Sequence, residues 1–176
     1  PSAPVFTVVD DIAPVTGTVT DGSSTNDAQP ELKGTGGEPG ATITITIDGG
    51  TPVSVTVESD GTWTYEPPVP LIDASQTYVV TQTDVAGNVS PSTTITFTVD
   101  TVTPSAPSLI ATDDVGPATG SILNGTTTDD ATPAFSGKAD AGSTVTLKID
   151  GVVVAVTVDK DGNWTYTPAS ALSDGS

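Results

Sequence analysis

Four residue types are missing from this sequence of 176 residues: cysteine, methionine, histidine and arginine. Without cysteine the chain cannot form a disulfide, which excludes a small secreted domain stapled by disulfides. Without cysteine and histidine, zinc and copper lack their preferred ligands. The absence of arginine removes the side chain that binds phosphate with paired donors, so nucleic-acid binding is not expected. These absences, together with the lack of a serine in a nucleophile-elbow pattern, predict that the chain is not an enzyme.

Positive charge is also scarce, because four basic residues face 22 acidic ones and give a formal charge of −18. Eighteen of the acids are aspartate, whose short carboxylate accepts hydrogen bonds from nearby backbone N–H groups and favours turns. The acids are therefore predicted to lie in loops. No apolar run approaches the ~20 residues that span a bilayer, so direct membrane insertion is not expected. The abrupt ends predict a fragment of a longer chain.

The most informative feature that is present is an internal repeat. Pro1–Pro4 recurs as Pro104–Pro107, and the eight residues that begin at Asp60 recur, with two replacements, from Asp161. The offset falls from 103 to 101 between these matches, and the changes lie in Gly- or Asp-rich turns, which tolerate deletions. The repeated unit is thus a domain of about 100 residues.

Within a repeat, the apolar residues have a period of two. Ile43, Ile45 and Ile47 alternate with Thr44 and Thr46, which predicts antiparallel sheet with one buried face. Gly and Pro interrupt the pattern at short intervals, and no segment has helical spacing. The seven strands predicted for the first repeat are 5–9, 31–35, 42–48, 52–58, 62–66, 77–83 and 93–99.

These strands predict an all-β fold of two tandem immunoglobulin-like antiparallel β-sandwiches. The repeats are residues 1–103 and 104–176. A hairpin is expected at Ser59–Gly61, between the fourth and fifth strands. The second repeat has no residues equivalent to Gln76–Thr103, so it is predicted to lack its last two strands.

The candidate site residues are aspartates. The predicted strand directions bring Asp10 and Asp27 together at the end of the first repeat that faces the linker, and the same pattern recurs in the second. Clustered carboxylates repel one another unless a cation joins them, and Ca²⁺ binds six to eight oxygens of this kind. We therefore expect Ca²⁺ near the junction of the repeats. The candidate ligands are Asp10, Asp11, Asp27, Asp48 and Asp100 in the first repeat and Asp113, Asp114, Asp130, Asp140 and Asp161 in the second.

The aspartates, the tryptophans and the Thr-x-Thr stretches each have a simpler structural interpretation beside the functional one. The aspartates could serve only to cap turns and keep the surface soluble. Trp63 and Trp164 could form an exposed sugar-binding platform, but with eight aromatic residues in the chain they are predicted to lie in the cores. The Thr-x-Thr stretches could form an ice-binding face, which would need ranked threonines on several adjacent strands; the simpler interpretation is ordinary strand composition.

Several motifs resemble the bacterial Ig-like repeats of giant type I-secreted adhesins and biofilm-associated proteins. The second repeat departs from the pattern because it lacks the loop equivalent to Asp84–Asn88. The segments that carry the resemblance are Gly40–Thr44, Gly142–Thr146, the blocks that begin at Asp60 and Asp161, Thr83–Ser90 and the linker Val99–Pro104.

The resemblance implies an extracellular rod on the bacterial cell surface, with roles in cell adhesion and biofilm formation. The partners of each repeat would be its neighbours in the chain and Ca²⁺, which would stiffen the linker beside Asp100. Two alternatives remain: a carbohydrate-binding or homophilic adhesion module, and an accessory domain of a secreted enzyme. The distal ligand is not encoded in this sequence.

Overall fold

The computed structural model describes residues 1–174, and none of these residues is helical. Contacts within the chain separate unit 1, Pro1–Val102, from unit 2, which begins at Thr103. The division lies one residue from the boundary predicted from the repeat. The described residues thus contain no helix that could cross a membrane.

Unit 1 contains nine strands. The seven strands predicted from the sequence are confirmed, with ends shifted by at most two residues, and two further short strands were not predicted. The strands are β1 (Val5–Asp10), β2 (Gly17–Val19), β3 (Ser24–Thr25), β4 (Glu31–Thr35), β5 (Thr42–Ile47), β6 (Val53–Thr56), β7 (Trp63–Tyr65), β8 (Ser75–Thr83) and β9 (Thr93–Val99).

These strands form two sheets, ordered β2-β1-β4-β7 and β3-β9-β8-β5-β6. All pairs are antiparallel except β3 and β9, which are parallel. Alternate residues of each strand point inward, so that Ile43, Ile45, Tyr78 and Val80 are completely buried between the sheets. The predicted all-β sandwich is therefore confirmed for unit 1.

The expected hairpin at Ser59–Gly61 is wrong. A tight turn does form there, since Glu58 N–H donates to the Thr62 carbonyl at 2.8 Å. The strands on its two sides lie in different sheets, however: β6 pairs with β5, whereas β7 pairs with β4. Turn residues predict where the chain reverses, but the burial of Val57 between the sheets sends the chain across the sandwich.

The core of unit 1 is built around Trp63, which is 2% exposed. Its indole lies directly against Gly34 on the neighbouring strand, where an added Cβ would come within 1.9 Å of the ring. The ring of Phe6 packs beside it at a centroid distance of 5.8 Å. Trp164 is 3% exposed in unit 2. The prediction that both tryptophans lie in the cores is confirmed.

Unit 2 repeats the first part of this fold. Its sheets are ordered β11-β10-β12-β15 and β13-β14, and its core is smaller. No strand follows Tyr166 in the described residues, which end at residue 174, as predicted from the missing sequence. The strands are β10 (Ile110–Asp113), β11 (Gly120–Ile122), β12 (Ala134–Lys138), β13 (Thr144–Ile149), β14 (Val152–Thr157) and β15 (Asn163–Tyr166).

Candidate metal centre

Asp10 ends strand β1 with its side chain turned inward and only 6% exposed. One carboxylate oxygen, Oδ1, accepts the N–H of Ile12 at 2.8 Å, which turns the chain out of the strand. The other, Oδ2, accepts the hydroxyl of Thr25 at 2.5 Å. Both oxygens of this buried carboxylate are therefore engaged by the chain itself.

Thr25 reaches Asp10 because β3 pairs with β9 and points this residue inward. Its hydroxyl oxygen accepts the N–H of Asp27 at 3.1 Å, and Oδ1 of Asp27 accepts the N–H of Gln29 at 2.7 Å. We call the set Asp10, Thr25 and Asp27 the first Asp–Thr–Asp bridge. It joins the end of β1 to the segment that enters β4, and so closes the long loop between them.

The bridge concentrates negative charge inside the domain. Asp27 is 4% exposed, and its pKa is raised above the ordinary value, mainly because burial desolvates the carboxylate and also because Asp10 and Asp11 repel its charge. Hydrogen bonds from the N–H groups of Gln29 and Asp11 oppose this rise. The charged form of Asp27 is thus disfavoured in the folded protein.

Unit 2 contains the second Asp–Thr–Asp bridge, formed by Asp113, Thr128 and Asp130. The Thr128 hydroxyl donates to Asp113 Oδ2 at 2.5 Å, and it accepts the N–H of Asp130 at 3.1 Å. The hydrogen bond from Thr128 also lowers the pKa of Asp113. Next to this bridge, the N–H of Asp114 lies 3.5 Å from Asp130 Oδ2. The recurrence shows that the bridge belongs to the repeated design.

The two bridges do not by themselves fit a bound metal ion. Within the described residues, no group of three or more acidic side chains is close enough to hold one. Each carboxylate oxygen of Asp10 and Asp113 accepts one donor of the chain. The geometry instead favours the simpler interpretation, in which these aspartates hold loops in place.

The other three candidates of unit 1 lie outside the first bridge. Asp11 follows Asp10 directly and is exposed. Asp100 donates its N–H to the Thr25 carbonyl at 2.9 Å. Asp48 occupies the turn after β5 with a φ of 49°, and its Oδ1 accepts the N–H of Thr77 at 2.7 Å. Burial raises the pKa of Tyr78, and the charges of Tyr65, Asp48 and Asp27 act in the same direction. Asp10 and Asp27 thus meet through Thr25, but within the described residues the five candidates of unit 1 do not form a compact ligand set.

The remaining candidates of unit 2 are engaged locally. Both oxygens of Asp140 accept donors from Ser105, the N–H at 2.9 Å and the hydroxyl at 2.8 Å, and the hydroxyl bond lowers the pKa of Asp140. Asp161 is exposed and pairs with the adjacent Lys160 at 2.9 Å. Neither lies in a cluster of acids within the described residues.

Sequence reasoning missed the threonines at the centre of each bridge. Thr25 precedes Asp27 by two residues, and Thr128 precedes Asp130 by the same spacing. This recurrence was the available signal. It also missed Asp73, which accepts both the N–H and the hydroxyl of Thr101 at 3.2 and 2.9 Å and thereby ties the end of unit 1 to the loop before β8.

Threonines do line up across the outer face of unit 1. Thr42 lies opposite Thr56 on one side and Thr83 on the other, and the equivalent Thr144 of unit 2 lies opposite Thr157. In the next row the threonines are interrupted in both units, because Thr44 lies opposite Ser54 and Thr146 opposite Ala155. The described strands therefore do not carry continuous ranks of threonine, and β propensity on a solvent-facing sheet accounts for those present.

A family model for the bacterial Ig-like domain matches the chain twice, over residues 3–101 and 103–176. A comparison with curated protein sequences finds no match.

Two solved structures are similar to the chain. One comes from work on host cell surface retention of a 1.5-MDa bacterial ice-binding adhesin; it is 26% identical, with a TM-score of 0.36, and the match covers 96% of this chain and 55% of that one. The other is a tetra-tandem repeat in the extending region of a large adhesion protein, at 22% identity and a TM-score of 0.36, covering 97% of this chain and 41% of that one. The chain thus spans about half of the length of these structures, and TM-scores this low carry no argument about function.

Proposed function

The chain belongs to the bacterial Ig-like domain family, and from this premise we propose that its units are spacer repeats of a large bacterial surface adhesin. The observation that carries the proposal is the duplication of one sandwich design, down to the same Asp–Thr–Asp bridge in each copy. A chain built by repeating one rigid domain gains length with each copy, which is what a spacer needs. The motifs that resemble adhesin repeats support the same role.

The surface chemistry supports an extracellular location. A formal charge of −18 keeps a long protein soluble and limits non-specific association. Stability rests on apolar cores and local hydrogen bonds, with no cysteine that an oxidising environment could cross-link. Placement on the bacterial cell surface, and a part in adhesion and biofilm formation, belong to this proposal.

We propose a mechanical role without catalysis. In this proposal the aspartates nearest one another, which accept hydrogen bonds from backbone and threonine donors, hold loops in place. Among the described residues, both tryptophans are buried, which removes the aromatic platform that a carbohydrate-binding module would need.

Calcium stiffening remains a prediction within this proposal. Residues 1–174 contain no cluster of three acids that could hold a metal ion, so a Ca²⁺ ion at the acidic end of unit 1 would need oxygens beyond those of the bridge. Asp100 would be one ligand, since it lies beside Thr25 at the start of the linker. Neutralising the carboxylates there would reduce their repulsion and restrict the linker.

Small-angle X-ray scattering of the whole chain tests the spacer role. A single compact globule of this length would have a radius of gyration of about 16 Å. A spacer should give a clearly larger value, independent of protein concentration. A radius of gyration of about 16 Å would mean that the units fold back on each other, and the proposal would be wrong.

A further inference from the structure

Strand β14 lies at an edge of its sheet in unit 2, as β6 does in unit 1. Within the described residues, β14 pairs only with β13 and β6 only with β5. Unit 1 has β8 and β9 on the far side of β5, and β6 is still the outermost strand. The free edge of β14 therefore does not follow from the lack of strands equivalent to β8 and β9 in unit 2. Such an edge presents backbone N–H and C=O groups to solvent.

Unit 1 blocks its free edge with a proline. The Val57 N–H donates to the Ala41 carbonyl at 2.9 Å. Because the backbone groups of successive residues alternate in direction along a strand, those of Ser54 and Pro52 point away from β5. Pro52 has no N–H to offer there, and β6 begins only after it. Proline at a sheet edge protects it from pairing with another chain.

Unit 2 has a valine in place of this proline. Val53 and Val154 occupy equivalent positions in the registers of the two hairpins, so the residues before them, Pro52 and Val153, are equivalent. β14 has six residues where β6 has four. The protection seen in unit 1 is thus absent from the same place in unit 2.

The free edge of β14 is formed by Val153, Ala155 and Thr157. The Val158 N–H donates to the Ser143 carbonyl at 2.9 Å, so by the same alternation the backbone groups of these three residues point away from β13. All three are exposed. β14 consists of valine, alanine and threonine only, and its β-branched, uncharged side chains favour the addition of a strand.

We propose that the free edge of β14 pairs with the same edge of a second copy of this chain. A two-fold axis makes the two strands antiparallel and places one edge-facing residue opposite itself. Ala155 is the middle one of the three, so Val153 of each copy lies opposite Thr157 of the other and about six backbone hydrogen bonds form. Both free edges are then used, and the assembly closes as a dimer. Such a contact would join neighbouring molecules side by side, which a spacer role does not require.

The charges that flank β14 fit this register. Asp150 lies five residues before Ala155 and Lys160 five residues after it, so Asp150 of each copy faces Lys160 of the other. The Lys160 side chain is 87% exposed and contacts only its exposed neighbour Asp161 among the acids, which leaves it free to turn. The two contacts favour a second copy as the partner, although chains of charge −18 repel one another at long range.

Sedimentation equilibrium of the whole chain tests the pairing. An interface below ~1,200 Å² should give a weak dimer, half formed at about 0.1–1 mM protein, in about 0.15 M salt to screen the net charge. Val153→Pro copies unit 1 and should weaken the dimer at least about tenfold. It removes no hydrogen bond within the unit, because the Val153 N–H points outward. Val153→Thr keeps the N–H and should dimerise as the parent does.

A cysteine at the two-fold axis tests the register. The chain has no cysteine of its own, and facing Cα atoms of a hydrogen-bonded pair lie about 5.5 Å apart, a distance that a disulfide spans. Ala155→Cys should therefore form a covalent dimer with oxidised glutathione, which is reduced as the two thiols join. Ser54→Cys, at the equivalent position of β6, is the matched control and should form far less.

Four results would each overturn the proposal. They are a monomer even at several times the stated concentrations, aggregates larger than a dimer, a dimer that Val153→Pro does not weaken, and equal cross-linking of Ala155→Cys and Ser54→Cys. The third result would place the contact elsewhere on the chain, for example on β13.

Discussion

The first Asp–Thr–Asp bridge makes a quantitative prediction about stability. Thr25→Val removes one hydroxyl with little change of shape. The buried Asp10 carboxylate then loses a donor, and the Asp27 N–H loses its acceptor. A hydrogen bond to a charged group contributes ~1.5–3 kcal/mol, and an unsatisfied buried donor adds to the cost, so the expected loss is about 2–4 kcal/mol. This is a large fraction of the ~5–15 kcal/mol of a typical domain.

Urea unfolding followed by tryptophan fluorescence measures this loss. A Trp164→Phe background leaves Trp63 as the single reporter, so the signal describes unit 1. With a slope of roughly 1–1.5 kcal/mol/M for a small domain, the midpoint should fall by about 1.3–4 M, and the slope itself should not change.

The second bridge supplies a matched control. Thr128 is exposed, so water can replace its hydroxyl, and Thr128→Val should cost about 1 kcal/mol or less. Thr25→Ser keeps the hydroxyl and should stay close to the parent. If Thr25→Val and Thr128→Val cost the same, or if Thr25→Ser is as damaging as Thr25→Val, burial of the bridge does not determine its contribution.

Three further predictions concern charge, packing and calcium. The pKa of Asp27 is raised above the ordinary 3.8 in the folded state. Its carboxyl therefore stabilises unit 1 when protonated, and this contribution is lost as pH rises through the folded pKa. Asp27→Asn should remove this pH dependence from the free energy of unfolding. Gly34→Ala pushes a methyl group into Trp63 and should lower the free energy of unfolding by about 1–3 kcal/mol or more. At Gly116 no atom lies within 4 Å of the added carbon, so Gly116→Ala should change the free energy of unfolding by less than about 0.5 kcal/mol. Calcium should narrow the distribution of lengths seen by scattering relative to chelator, and Asp100→Asn should reduce the difference; identical curves with calcium and chelator would refute the stiffening.

The sequence was sufficient for the fold where side chains alternate over several residues. β5 has three threonines alternating with three isoleucines, and burial of one face follows directly. β2 and β3 have three and two residues, too few to show a period, so they were missed. The sheet that each strand joins is set by packing across the sandwich, which is why β6 and β7 were wrongly joined as a hairpin.

For the candidate site, too, the sequence predicted the position of the residues but not the contacts that form on folding. The spacing of Asp10 and Asp27 along the predicted strands correctly placed them at one end of unit 1. Their chemistry was not predictable in the same way, because it depends on Thr25, which reaches Asp10 only after β3 has paired with β9. A carboxylate can bind a cation or a backbone N–H, and only the folded structure shows which of these partners lies within reach.

The pairing at the two ends of unit 1 determines how the domain would bear a pulling force. The Thr93 hydroxyl at the start of β9 donates to the Pro4 carbonyl just before β1, and at the other end Asp100 bonds Thr25, which bonds Asp10. The first and last strands therefore run in the same direction, and tension applied through the chain ends pulls them in opposite directions along their lengths. The hydrogen bonds between β1 and β4 are then sheared together rather than opened one after another, so unit 1 should resist stretching far more strongly than a sandwich loaded at one end.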